Sequence, residues 1–291
     1  MPLSALIRLA TMNPPALKRI FHPADFTKGD EGAYAHALRL AFAAGANLSL
    51  LHVGGADSDN EWDDFPSVRE LLSRWAFLGP NAHRTDVTKL GLRVEKVHRR
   101  GPDPLDAILS YLDDHQTDLI VVSTHQRSGL DRWMHQARAE ALAHASNAMT
   151  LFVPRRISGF VSVDTGKVRL ETILIPIDHT PRPQAALDAA VHLAETLACP
   201  MVRFIALHVG REEDIPEVRL PERDGWTLET QAWNGPVVDH ILGSAEANDA
   251  GLIVMATSGR HGPLDALRGS TTERVVRGTK CPVLAVVAPA G

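Results

Sequence analysis

Short apolar runs without polar alternation punctuate this chain, and segments of helical periodicity follow most of them. RIFHPAD (19–25) leads through a polar turn into AYAHALRLAFAAGA (33–46), which feeds LSLLHV (48–53). ILIPID (173–178) leads in the same way into PQAALDAAVHLAETLA (183–198) and then FIALHV (204–209). Further on, VEKVHRRGPDPLDAIL (94–109) parallels LETQAWNGPVVDHIL (228–242), and DLIVVST (118–124) parallels GLIVMAT (251–257). Both series close on an apolar run, MTLFVP (149–154) and CPVLAVV (281–287). Runs such as LIVV and LIVM suit strands covered on both faces. Their alternation with helical segments predicts βαβ units and a parallel sheet. The expected fold class is therefore α/β: two tandem doubly wound, Rossmann-like domains, each a five-stranded parallel sheet flanked by helices. They are expected over residues 1–157 and 168–291, joined by RRISGFVSVDTGKVRLE (155–171), in which FVSV is a candidate extra strand.

The repeat is not evenly spaced. Asp25 pairs with Asp178 at an offset of 153, but Ile120 pairs with Ile253 at an offset of 133. The first half therefore holds extra sequence between His52 and about residue 90. That insertion contains an acidic stretch, DSDNEWDD (57–64), and a helical pattern, PSVRELLSRWAFLG (66–79), so an inserted loop and helix are expected around 57–80. Trp62 and Trp75 are expected to pack that helix rather than to stack on a base.

Composition narrows the function classes. The chain has 291 residues, 44% hydrophobic and 22% charged, with Lys+Arg 30 against Asp+Glu 35 and a net charge of -5. No basic run stands out, which argues against nucleic acid as a partner. Nothing approaches the roughly 20 apolar residues of a membrane span. The opening MPLSALIRLATM is too short and interrupted for a signal peptide, and the residues before Lys18 read as a loose tail. Cys199 and Cys281 form no motif, and a reduced, cytoplasmic protein is the simple reading.

The candidate chemistry lies in ATSGRHGPLDALRGS (256–270), between the apolar run LIVMA (252–256) and the helical TTERVVRG. In doubly wound sheets ligands bind beyond the C-terminal strand ends, where the strand order switches. A glycine-rich segment leaving a strand there and entering a helix suits phosphate. Glycine admits close backbone approach, and a helix N-terminus presents free N–H groups and the positive end of its dipole. The plainer reading is a turn, with Ser270 or Thr271 capping the helix. Likewise Asp178 reads either as a ligand group or as a cap of the next turn.

The tandem repeat, the Pro-x-Asp after each first strand and the Gly-x9-Gly-Ser before the last helix resemble the universal stress protein family, over roughly 18–154 and 171–288. Its ATP-binding branch carries Gly-x2-Gly-x9-Gly-[Ser/Thr]; here those positions are Ala256, Gly259, Gly269 and Ser270, so the first glycine is an alanine. The resemblance implies ATP with Mg²⁺ as cofactor. It places Asp178 at the adenine–ribose end, Ile177 and Val209 beside the base, and Gly259, Gly269, Ser270 and Thr271 on the phosphates. Arg260 is then a charge partner, and Gly262 shapes the loop. It implies a stress-response regulatory protein, with the last strands of the two domains, TLFVP and VLAVV, paired as an intramolecular pseudo-dimer; a homodimer is a further possibility. Two alternatives stand beside it: a slow ATPase or nucleotide-processing enzyme, for which no catalytic set is evident, and a ligand-free interaction protein.

The first half lacks the cradle. At the offset of 133, Gln126, Gln136 and Ala137 stand opposite Gly259, Gly269 and Ser270. Its loop carries His125, Arg127, Arg132, His135 and Arg138, read as a solvated polar face, an altered anion site or, less favoured, a metal site. His52 and His208 occupy matching strand ends and are expected to be buried and hydrogen-bonded. No Gly-x-Ser-x-Gly elbow and no Gly-x4-Gly-Lys-[Ser/Thr] loop is present.

Overall fold

The computed structural model describes residues 16–25, 27–54, 67–101, 103–124, 148–155, 157, 159–258 and 270–288. The expected tail before Lys18 thus falls almost wholly outside the described residues, as do Trp62, the acidic stretch 57–64 and the polar loop 125–138.

The first half contains β1 (Arg19–Pro23), α1 (Glu31–Ala44), β2 (Asn47–Gly54), α2 (Val68–Arg74), α3 (Arg84–Lys89), β3 (Arg93–Arg100), α4 (Pro104–Asp114), β4 (Leu119–Thr124) and β5 (Met149–Pro154). The second contains β6 (Thr172–Ile177), α5 (Gln184–Thr196), β7 (Val202–Val209), β8 (Trp226–Trp233), α6 (Val237–Ala247), β9 (Leu252–Ser258), α7 (Thr271–Gly278) and β10 (Val283–Ala288). The strands form one ten-stranded sheet in the order β3-β2-β1-β4-β5-β10-β9-β6-β7-β8. Each half is parallel within itself, as its unbroken apolar strands predict. The halves meet where β5 and β10 pair antiparallel, Leu151 opposite Leu284. TLFVP and VLAVV are therefore the joint, and neither edge is left open.

Strand β4 is buried at Leu119–Val122 and β9 at Leu252–Met255, because helices cover both faces. On one face α1 and α5 pack on the sheet, with Leu38, Leu40, Leu187 and Phe204 inside. On the other, α4, α6 and α7 contribute Ile108, Leu112, Ile241 and Val275. Helix α1 ends at Gly45, whose left-handed φ of 62° lets its N–H turn back to the Phe42 carbonyl.

The inserted helix is shorter than its periodicity predicts. It stops at Arg74 because Ala76 adopts a left-handed φ of 61°. The Phe77 N–H then reaches the Leu72 carbonyl, and the Ala76 N–H the Ser73 carbonyl. That is a Schellman ending built on alanine where glycine is usual. A second short helix, α3, follows. Trp75 is buried, and its indole N–H donates to the Val163 carbonyl at 2.8 Å, so it packs on the linker as well as on its own helix.

The linker is fastened at three points. His36 accepts the Val161 N–H at 3.1 Å, Trp75 holds Val163, and Arg39 donates to the Gly166 carbonyl at 3.2 Å. FVSV makes one bridge, Val161 to Val168, and no longer strand.

Candidate functional site

In the second half, β6 and β9 are neighbours although a βαβ excursion through β7 and β8 separates them in sequence. Their C-terminal ends flank the switch in strand order, where the connecting chains diverge to opposite faces. A cavity of about 240 Å³ opens there. Ile177 and Asp178 enter it from β6, Val209 from β7, Ala256 from β9, and Ser270 and Thr271 from the start of α7. Six candidate residues from four elements thus share one cavity. The other four, Gly259, Arg260, Gly262 and Gly269, lie outside the described residues.

The lining is mixed in chemistry. Ile177, Leu207, Val209, Val237, Ile241 and Met255 are apolar. Asp178, Thr257, Ser258, Ser270, Thr271 and Thr272 are polar. Asp178 is exposed, and its carboxylate accepts from the backbone N–H of His179 at 2.7 Å, the local turn bond its sequence position allowed. Ser270 accepts from the Glu273 N–H at 3.1 Å. It is the N-cap of α7, which is the plain reading of that serine. With Glu273 satisfied, the N–H groups of Thr271 and Thr272 are what the first turn offers an anion. Arg274 comes within 3.5 Å of the Thr271 hydroxyl, placing a cation one turn into the helix.

Behind the cavity the matched histidines do one job. His208 is buried with Nδ1 3.3 Å from the Ile177 carbonyl, and His52 is buried with Nδ1 2.8 Å from the Ala24 carbonyl. Only an N–H can face a carbonyl, so Nδ1 is the protonated nitrogen toward that partner. Each imidazole anchors the peptide just before the strand-end aspartate. They are structural, as their repeat within one chain suggested.

At the corresponding strand end of the first half the aspartate is engaged by side chains of the described residues. Asp25 pairs with the Arg155 guanidinium, and its Oδ1 accepts from the Thr27 hydroxyl at 2.7 Å and the Thr27 N–H at 3.0 Å. Arg155 also donates to Thr27 Oγ1 at 3.1 Å. Beneath lies a fully buried pair, His22 Nε2 and Asp30 Oδ2, 3.3 Å apart, with Asp30 also accepting the Asp25 N–H at 3.0 Å. Burial opposes charge on His22. The Asp30 carboxylate, with hydrogen bonds to it and to the Val121 carbonyl, outweighs that and raises the imidazole pKa.

Sequence reading missed several of these residues. Arg155 reads as the first residue of the linker, and its partner Asp25 is far away in sequence. Val237 and Ile241 follow Gly235-Pro236 at the start of α6; a helix opening just beyond a strand's C-terminal end was the available signal. Thr257 and Ser258 sit inside the quoted glycine-rich stretch but carried no assigned role.

The chain is thus a doubly wound α/β protein with a cavity at a strand-order switch, lined by apolar residues and by the N-terminus of a helix. The model of the universal stress protein family matches residues 16–154 and 217–287, and the chain belongs to this family. It is 38% identical over 71 residues to universal stress protein MJ0531 of Methanocaldococcus jannaschii, spanning 24% of this chain and 42% of that relative's length. Identity to universal stress protein YxiE of Bacillus subtilis is 29% over 146 residues, covering 39% of this chain and 97% of that protein. The crystal structure of a universal stress protein from Archaeoglobus fulgidus superposes with a TM-score of 0.58 at 16% identity, covering 93% of this chain and 96% of that one. That likeness extends the shared fold over both halves. No described helix is long and apolar enough to cross a membrane.

Proposed function

We propose that the chain is a stress-response regulatory protein that binds ATP, with Mg²⁺, in its second half. The observation that carries this is the convergence of Ile177, Asp178, Val209, Ala256, Ser270 and Thr271 on one cavity at the switch point. The apolar lining residues suit a purine. Asp178 suits ribose hydroxyls, because a carboxylate accepts hydrogen bonds and has none to donate. The first turn of α7, with Arg274 beside it, suits phosphate oxygens. Ala256 lines the cavity near the end of β9, one methyl group larger than the glycine of the family's ATP-binding pattern. On this reading the output is regulation through nucleotide state.

Calorimetric titration with ATP and Mg²⁺ tests this, with Gly269→Val beside the wild type. One site per chain, lost in a variant that keeps its circular dichroism, is the expected result. No binding by the wild type refutes the proposal.

A further inference from the structure

Exposed apolar side chains are unevenly placed. Three large ones stand out among the described residues: Met201 at 69% exposed, Trp233 at 52% and Val237 at 42%. Met201 lies before the start of β7, at the end of the sheet remote from the cavity. The other two lie toward the cavity end of the sheet, where the parallel strands finish. Val237 lines the cavity, and Trp233 is the register partner of Val209, which lines it as well. The Gly210 N–H donates to the Trp233 carbonyl at 2.8 Å, so this pairing runs to the last residue of the strand.

The side of the sheet follows from alternation. Trp226 and Leu228 pack into the core on the α5 face, so Trp233, an odd number of residues along β8, points to the opposite face. Leu207 and Val209, both on the cavity wall, lie on that face too, in or against the α6-side core. Adjacent strands are about 4.8 Å apart, and an indole extends further than that from its own backbone. The ring is already oriented: His240 stacks on it with centroids 5.9 Å apart and planes 18° apart, and His240 Nε2 lies 3.1 Å from the Asn234 carbonyl. Stacked on His240 yet half exposed, next to a strand whose end lines the cavity, the indole keeps aromatic surface in solvent.

We infer that Trp233 is the outer wall of the base subsite and stacks on the purine of the bound nucleotide. This rests on the reading of the second half as an adenine-nucleotide site. It adds a residue that sets base affinity separately from phosphate affinity. In the first half Arg99 stands in this place, opposite Val53, so the aromatic surface belongs to the second half alone.

The test is calorimetry with two probes, ATP and the baseless ribose 5-triphosphate, on wild type, Trp233→Ala and Trp233→Phe. Stacking on an aromatic contributes enough that Trp233→Ala should weaken ATP binding by about tenfold or more. Ribose 5-triphosphate should bind all three proteins equally, and Trp233→Phe should recover most of the ATP affinity. Equal ATP affinity in wild type and Trp233→Ala overturns the inference while leaving the nucleotide site standing. Equal losses for both probes overturn it too, because the indole would then support the fold and not the base. A wild type that binds neither probe refutes the site itself and the inference with it.

Discussion

The two halves share a strand order and an anchoring histidine, but their strand ends carry opposite chemistry. In the first, Asp25 is engaged by Arg155 and Thr27, above the buried His22–Asp30 pair. In the second, Asp178 faces a cavity. The strand registers identify the substitutions behind this. Thr124 pairs with Pro154 and Thr257 with Val287, so Arg155 corresponds to Ala288, which has no reach toward Asp178. Counting from the two aspartates, Ile175 and Pro183 replace His22 and Asp30. A repeated fold keeps the backbone scaffold, and a few side chains change what its strand-end aspartate meets.

The largest effect expected from breaking this comparison is at the buried pair. Asp30→Ala leaves an uncompensated imidazole in the core and should destabilise by about 3–5 kcal/mol in urea unfolding. His22→Ile combined with Asp30→Pro installs the residues of the second half and should lose much less. Equal losses would show that the pair matters only through volume.

His36 sharpens the contrast next, since Ala189 occupies its place in α5. Burial lowers its pKa from 6.5 to about 4, partly opposed by its bond to the Gly32 carbonyl. Its folded value lies below its unfolded one, so the unfolded chain takes up the proton first. The stability it confers is present above pH 6.5 and is lost as pH falls toward 4, about 3 kcal/mol in all. His36→Ala should flatten that acid limb of the unfolding free energy. His22 acts with the opposite sign: its raised pKa gives stability that is present below its unfolded value and is lost as pH rises through the folded one.

Smaller still is the effect of removing either strand-end aspartate, and the pair should separate cleanly. Asp178→Ala should weaken ATP binding by about ten- to a hundredfold, the worth of hydrogen bonds to a charged group, with little change in melting temperature. Asp25→Ala should leave ATP affinity unchanged but destabilise by about 1–2 kcal/mol, because Arg155 keeps its semi-buried charge without its partner. Loss of ATP binding in Asp25→Ala would put nucleotide in the wrong half.

Much of this was legible because parallel strands buried on both faces leave unbroken apolar runs, and because the chain states its pattern twice. The doubling exposed the strands of both halves and the structural role of His52 and His208. The resemblance to the universal stress protein family supplied the pairing of TLFVP with VLAVV and the grouping of Ile177, Asp178, Val209, Ala256, Ser270 and Thr271. What stayed hidden depended on conformation or on contacts distant in sequence. Nothing in PSVRELLSRWAFLG marks Ala76 for a left-handed turn, so the helix was drawn too long. Arg155 follows a strand and precedes a polar segment, so it reads as linker until the fold brings it to Asp25. Trp233 looks like an ordinary edge-strand residue until its register with Val209 is known.

The central claim is that nucleotide binds one half of the chain and not the other. Photolabelling with 2-azido-ATP, followed by mass mapping of the labelled peptides, tests it most directly. The account predicts label confined to peptides from 171–288, competed away by ATP. Competed label in peptides from 16–155, or no competed label at all, would contradict it.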